Sequence, residues 1–157
     1  MNDGQRDLGK VRGVVIPAGE ADLLLPNAAV AEVVAYQDAT PFASAPPWLI
    51  GALTWHDRSV PLVSLAAADA DARNLAPGHR ARSVVCYTPN GNPALPYVGL
   101  LAMGPPRLAH FRVQDLTPTD QRPANPLVLF ALTYGERSAW IPDMDAIEMA
   151  VLTALKP

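Results

Sequence analysis

Proline occurs 17 times in this chain of 157 residues, about twice its usual share of roughly 5%. Proline fixes φ and removes a backbone donor, so it ends helices and is excluded from central strands. Long uninterrupted elements are therefore ruled out, and the chain must be built from short strands and many corners. The apolar runs agree. Val11 to Pro17, Asp22 to Pro26, Leu49 to Trp55, Arg58 to Leu65, Arg82 to Thr88, Tyr97 to Met103 and Leu127 to Tyr134 have strand length and are rich in Val, Leu, Ile and aromatics. Gly19-Glu20, Asn90-Gly91 and Gly135-Glu136 mark reversals, and Asn-Gly in particular permits the positive φ of a tight hairpin. One helix is predicted, at the end: Asp143 caps it, and Met144, Ile147, Val151, Leu152 and Leu155 are spaced for one buried face. The small, polar stretch AAADADARNLAPGHRA, residues 66–81, reads as a surface connection between two halves.

Half of the residues are apolar and 17% are charged, far from the polar composition that prevents folding. The length suits one ordinary domain or two small ones sharing an interface. A net charge of −3 supplies no basic field, which argues against nucleic acid and anionic lipid as partners. Cys86 is the only cysteine and forms no internal disulfide. The stretch MNDGQRDLGK lacks the apolar core of a secretory signal, so a cytoplasmic address is expected. The uncharged segments Ala39 to Trp55 and Thr88 to Pro106 hold Pro41, Pro46 and Pro47 in the first case and five prolines in the second. A membrane-spanning helix needs about 20 mostly apolar residues, so direct insertion is not expected.

Two stretches repeat a pattern. GEADLLLPNAAVAEV from Gly19 and GERSAWIPDMDAIEM from Gly135 share Gly-Glu, an apolar residue and proline at the seventh and eighth positions, then Asn or Asp. A glutamate follows six residues after each proline, Glu32 and Glu148. The match spans a turn, a strand and the start of the next element, which suggests one supersecondary unit built twice near the two chain ends.

The order of DLLLPNAAVAEVV, TPFASAPPWLIGALTWHDRSVPLVSL, VGLLAMGPPRLAHFRV and LVLFALTYGERSAWIP resembles the CheW-like domain, the coupling module of bacterial chemosensory systems. The resemblance runs from about Gly13 to Glu148. Its firmest part is LLLPNAAVAEVV followed by proline, Gly51 and the VPLV strand ending at Leu65. In length and divergence the chain is most similar to ChpC-type accessory coupling proteins of type IV pilus and twitching-motility signalling. The resemblance implies a mainly β fold of two small SH3-like five-stranded barrels packed side by side, with a short C-terminal helix. It implies a flexible N-terminus over residues 1–12 and one domain of two subdomains over 13–157. It implies no enzyme activity and no cofactor, and a bridging role between the regulatory domain of a CheA-type histidine kinase and the cytoplasmic tip of a chemoreceptor. The alternative from a different class is a small β-barrel module that binds protein or oligonucleotide outside chemosensing, although oligonucleotide binding usually needs aromatic platforms in a basic groove.

The polar trio His56, Asp57 and Arg58 joins two apolar runs. Adjacent residues do not easily converge on one reacting atom, so a polar turn tip is the expected reading rather than a catalytic cluster. The family hairpin usually reads Asn-Leu-Arg-Gly where this chain has Thr54-Trp55-His56-Asp57. The signature arginine is absent, and Asp57 replaces a glycine while tolerating left-handed angles. Arg58 supplies a cation one residue later, but neighbouring strand positions face opposite sides. Glu32 matches a family glutamate near the coupling surface, and Ser64 stands where the family commonly has aspartate.

Trp48, directly after Pro46-Pro47, is a candidate interface anchor presented on a stiffened approach. Trp140 is assigned to the core, and Trp55 serves either core or interface. The expected partner-binding residues are thus Glu32, Trp48, His56, Asp57 and Arg58. His79, His110 and Cys86 show no metal-type spacing, and the DMDAIE stretch lacks the central glycine of a calcium loop, which leaves helix capping as its role.

Overall fold

The computed structural model describes residues 10–19, 21–65, 77–119 and 125–156. Along them run β1 (Lys10–Pro17), β2 (Asp22–Pro26), β3 (Val30–Ala35), β4 (Leu49–Trp55), β5 (Arg58–Val63), β6 (Arg82–Tyr87), β7 (Tyr97–Ala102), β8 (Arg107–Arg112), β9 (Leu116–Pro118), β10 (Val128–Tyr134), β11 (Arg137–Pro142) and the helix α1 (Met144–Ala154). They form a six-stranded sheet in the order β8-β1-β2-β11-β10-β9 and a five-stranded sheet in the order β3-β6-β7-β5-β4. The fold is mainly β, two curled sheets and one short helix, as expected; the three-residue β9 adds a sixth strand to one of them. Lys10, Val11 and Arg12, expected within a flexible N-terminal stretch, instead lengthen β1, because they pair with Arg112, Phe111 and His110 of β8. Most of the expected connection at 66–81 lies outside the described residues. At its end Ala81 N–H closes a turn onto the Gly78 carbonyl at 3.0 Å.

Without β9 the two sheets have one topology. Each has an edge strand, β8 or β3, then an antiparallel pair, a parallel junction and a terminal hairpin. The parallel junctions are β2 with β11 and β5 with β7. The chain crosses from one sheet to the other after β2 and again after β7, so each sheet combines strands from both halves of the sequence. The repeating unit is therefore β1 to β5 against β6 to β11. The similarity at Gly19 and Gly135 instead marks two hairpins of the same sheet that meet at its parallel junction. It also ends at the shared proline: Pro26 leads through a single 3-10 turn into β3, whereas Pro142 leads into α1. Glu32 consequently lies on an exposed strand and Glu148 in a buried helix face, only 2% exposed.

Alternation along the strands sorts the apolar side chains into three clusters. Val14, Ile16, Leu23, Leu25, Val63, Val84, Cys86, Val98 and Leu100 fill a central layer that both sheets and α1 share. Val15, Leu24, Phe111, Leu132 and Ala139 form the inner layer of the six-stranded sheet, and Leu53, Val60, Leu62 and Leu101 that of the five-stranded one. Burial pushes the Cys86 thiol up to about 12, which removes the reactive thiolate at neutral pH.

Helix α1 is capped as predicted, with Asp143 Oδ1 accepting from Ala146 N–H at 3.0 Å. Ile147 and Val151 face the core, but Leu155 is 38% exposed because the helix ends at Ala154. Glu148 is buried with Ile147 and Val151 and accepts from Asn90 Nδ2 in the β6–β7 turn. Trp140 packs partly buried on the central layer, in line with its core assignment.

Candidate functional site

The tip between β4 and β5 is a two-residue hairpin closed by Trp55 and Arg58. His56 and Asp57 both take positive φ, +47° and +61°, the requirement of a type I′ turn. Histidine and aspartate enter this region more readily than most side chains, though less readily than the Asn-Gly pair. Register on the β4 side is fixed by Gly51: a Cβ there would lie 2.5 Å from the Thr40 carbonyl oxygen. Glycine lets residue 40 run close enough to bridge Ala52 with two hydrogen bonds, 2.9 and 2.8 Å.

Glu32 comes to this tip from β3, the opposite edge of the same sheet. Its contact with the tip shows that the five strands curl far enough for the first to meet the last. Trp55 Nε1 donates to Glu32 Oε2, and His56 Nε2 lies 3.1 Å from the same oxygen. These two partners, the indole N–H foremost, hold the Glu32 carboxyl below its usual range. The Trp55 ring meets His56 edge-on at 4.6 Å and Tyr97 at 4.8 Å, and Tyr87 follows at 5.6 Å from Tyr97. Arg58 departs to the other flank, its guanidinium 5.6 Å from the centre of the Tyr97 ring. The tip is thus an exposed aromatic ridge with a carboxylate on one side and a guanidinium on the other.

The structure brings together Glu32 and His56, places Arg58 around the corner, and gives Asp57 a backbone role. Trp48 is not part of this group. It packs partly buried on the central layer and lines a separate, open recess with Pro46, Met149, Ala150 and Thr153. The Ser64 N–H donates to its carbonyl at 2.8 Å and ties it to the end of β5. Tyr97, Tyr87 and Ser83 belong to the site region and were not singled out from sequence. Ser83 lines a recess of about 210 Å³ with Glu32, Thr54, Trp55 and His56. Its Oγ makes no hydrogen bond among the described residues, so serine, imidazole and carboxylate share a recess without the serine-to-imidazole bond that a nucleophilic relay requires. Among the described residues no group of three histidine, cysteine or carboxylate side chains could hold a metal ion, and no helix is long and apolar enough to cross a membrane.

A family model for the CheW-like domain matches residues 12–150. The chain belongs to the CheW-like domain family. The crystal structure of the scaffolding protein TtCheW from Thermoanaerobacter tengcongensis is similar to this CheW-like domain with a TM-score of 0.69 at 13% sequence identity, over 90% of this chain and 89% of that one. No curated protein matches the sequence. The CheW-like match begins inside β1 and ends inside α1, so it takes in both sheets and the tip.

Proposed function

We propose that this chain is a non-catalytic coupling adaptor of a chemosensory array, joining the regulatory domain of a CheA-type histidine kinase to the cytoplasmic tip of a chemoreceptor. The observation that carries the reading is the family match across 139 residues from 12 to 150, supported by a fold shared with a scaffolding protein. The similarity to ChpC-type proteins extends the proposal to type IV pilus and twitching-motility signalling in the cytoplasm.

The geometry supplies what an adaptor uses. Among the described residues, edge strands β3, β4, β8 and β9 have one side without a strand partner for much of their length, and such edges accept β-strand addition. Glu32, His56, Asp57 and Arg58 present mixed charge beside stacked aromatics, which suits a contact set by orientation and complementarity. Trp48 is a second contact, beside the exposed Met149 on α1. Specific contacts bury about 800 Å² per partner, and an array adds avidity to weak single ones.

Calorimetric titration of the purified chain with the regulatory domain of its cognate kinase, and separately with a receptor hairpin, tests the reading. Saturable binding to both is expected. A folded sample that binds neither removes the coupling assignment.

A further inference from the structure

The recess between β3 and β4 carries an inference beyond the coupling reading. We propose that it is a socket for one guanidinium group, the side chain of an arginine presented by a partner. Three observations meet there.

The first is charge. Among the described residues Glu32 is the one carboxylate that lines the recess, and none of the lining residues is lysine or arginine. The Glu32 side chain is 45% exposed, and its contacts with the Trp55 indole and His56 both fall on Oε2. Those two partners fix the position of a carboxylate that lines the recess.

The second is a hydroxyl without a partner. Ser83 is 1% exposed, and its Oγ makes no hydrogen bond among the described residues. A buried hydroxyl left unpaired is destabilising, so its presence at the back of a recess calls for an explanation from what enters. Ser83 stands there because β6 alternates: Val84 and Cys86 face the central layer, and Ser83 faces the interior of the five-stranded sheet next to Leu53.

The third is shape. At about 210 Å³ the recess is smaller than the roughly 300 to 1,000 Å³ that hold a drug-sized ligand, yet ample for a single long side chain. A guanidinium offers five donors and no acceptor, so it can donate to the Glu32 carboxylate and to the lone pairs of the Ser83 hydroxyl, with the Gln37 and Thr54 side chains also lining the recess. The Trp55 ring adds an aromatic wall of the kind that guanidinium groups favour over ammonium groups.

The probe is N-acetyl-arginine amide, titrated into the full chain while the three tryptophan indole N–H signals are followed by NMR. The Trp55 signal should shift saturably at millimolar concentrations while those of Trp48 and Trp140 stay in place, with the lysine analogue at least 3-fold weaker. Glu32→Gln should abolish the shift. Ser83→Ala should weaken arginine binding several-fold and at the same time raise the midpoint of thermal unfolding, because the unpaired hydroxyl is gone. A residue with a purely structural role would change only the melting midpoint. No saturable shift at Trp55, equal response to arginine and lysine, or unchanged binding in Glu32→Gln overturns the socket. Failure of the chain to bind kinase or receptor would instead overturn the coupling assignment and leave this test unaffected.

Discussion

The two sheets finish the same hairpin against edge-strand side chains of opposite charge. In the six-stranded sheet the tip between Tyr134 and Arg137 turns on Gly135, whose φ of +59° needs no side chain. Tyr134 donates to Asp22 at 3.0 Å, Arg107 of edge strand β8 donates to the tyrosine oxygen at 3.0 Å, and Arg137 lies 3.4 Å from Asp22. In the five-stranded sheet the equivalent residues are Trp55 before the turn and Arg58 after it, but edge strand β3 contributes Glu32 rather than a cation. The enclosed carboxylate, Asp22, is 17% exposed and the outward one, Glu32, 45%. One topology thus yields a sealed tip and an open one. The lesson is that the backbone plan fixes where the seam falls, and the edge-strand side chain decides whether it faces inward or toward a partner.

Both tips depend on the layer between them, and the largest predicted effect lies there. Leu100 is fully buried where β7 meets β5 in parallel and packs in the shared layer. Leu100→Ala is expected to cost about 2 to 5 kcal/mol in chemical denaturation, with one transition reported by all probes. Separate transitions for the two sheets would break the comparison by making them independent.

Next in size is Tyr134→Phe, which removes the hydroxyl linking Arg107 to Asp22. Loss of this part-buried link is expected to cost about 1 to 2 kcal/mol. Trp55→Phe, which removes one bond to an exposed carboxylate, should cost less. Equal losses would mean that the open tip is as tightly sealed as the other.

Turn chemistry gives a smaller effect of opposite sign at the two tips. Asp57→Gly relieves a positive φ and is expected to stabilise by about 0.5 to 1 kcal/mol, whereas Gly135→Ala should destabilise by about 1 kcal/mol in the same unfolding assay.

The smallest effect is a titration. Hydrogen bonds from Trp55 and His56 lower the Glu32 carboxyl, so the pair is intact above the ordinary carboxylate range and is lost as pH falls through the native midpoint. Carbon-detected NMR should place Glu32 below the value for an unpartnered glutamate, and Trp55→Phe should return it toward that value. An ordinary titration in the native chain would remove the anchor from the open tip.

Much of this arrangement was legible in the chain itself, for identifiable reasons. The strands Asp22–Pro26 and Leu49–Trp55 have the bounds expected of them, because they are central or well-patterned runs ended by proline or a polar turn. The Asp143 cap and the two-residue turn at His56-Asp57 were equally plain, since both depend on local chemistry. The strands β3, β8 and β9 were not visible. All three are sheet edges; β8 buries only Phe111, and β3 and β9 bury no residue fully, so none shows the alternation of a half-buried strand. Glu32 was chosen through the family resemblance, but its bond to Trp55 spans 23 residues and arises only when the sheet curls until its two edges meet. Ser83 was invisible for a related reason: a serine in an apolar strand carries no signal until its face is known. The Gly-Glu repeat misled because short turn signals recur in hairpins that are neighbours as readily as in hairpins that are equivalents.

Coupling demands that both partners be held at once, which a binary titration does not establish. Sedimentation velocity on a mixture of the full chain, the kinase regulatory domain and a receptor hairpin is the most direct measurement. A ternary species sedimenting faster than either binary complex is the predicted result. Displacement of one partner by the other, with no ternary boundary at saturating concentrations, would contradict the adaptor account.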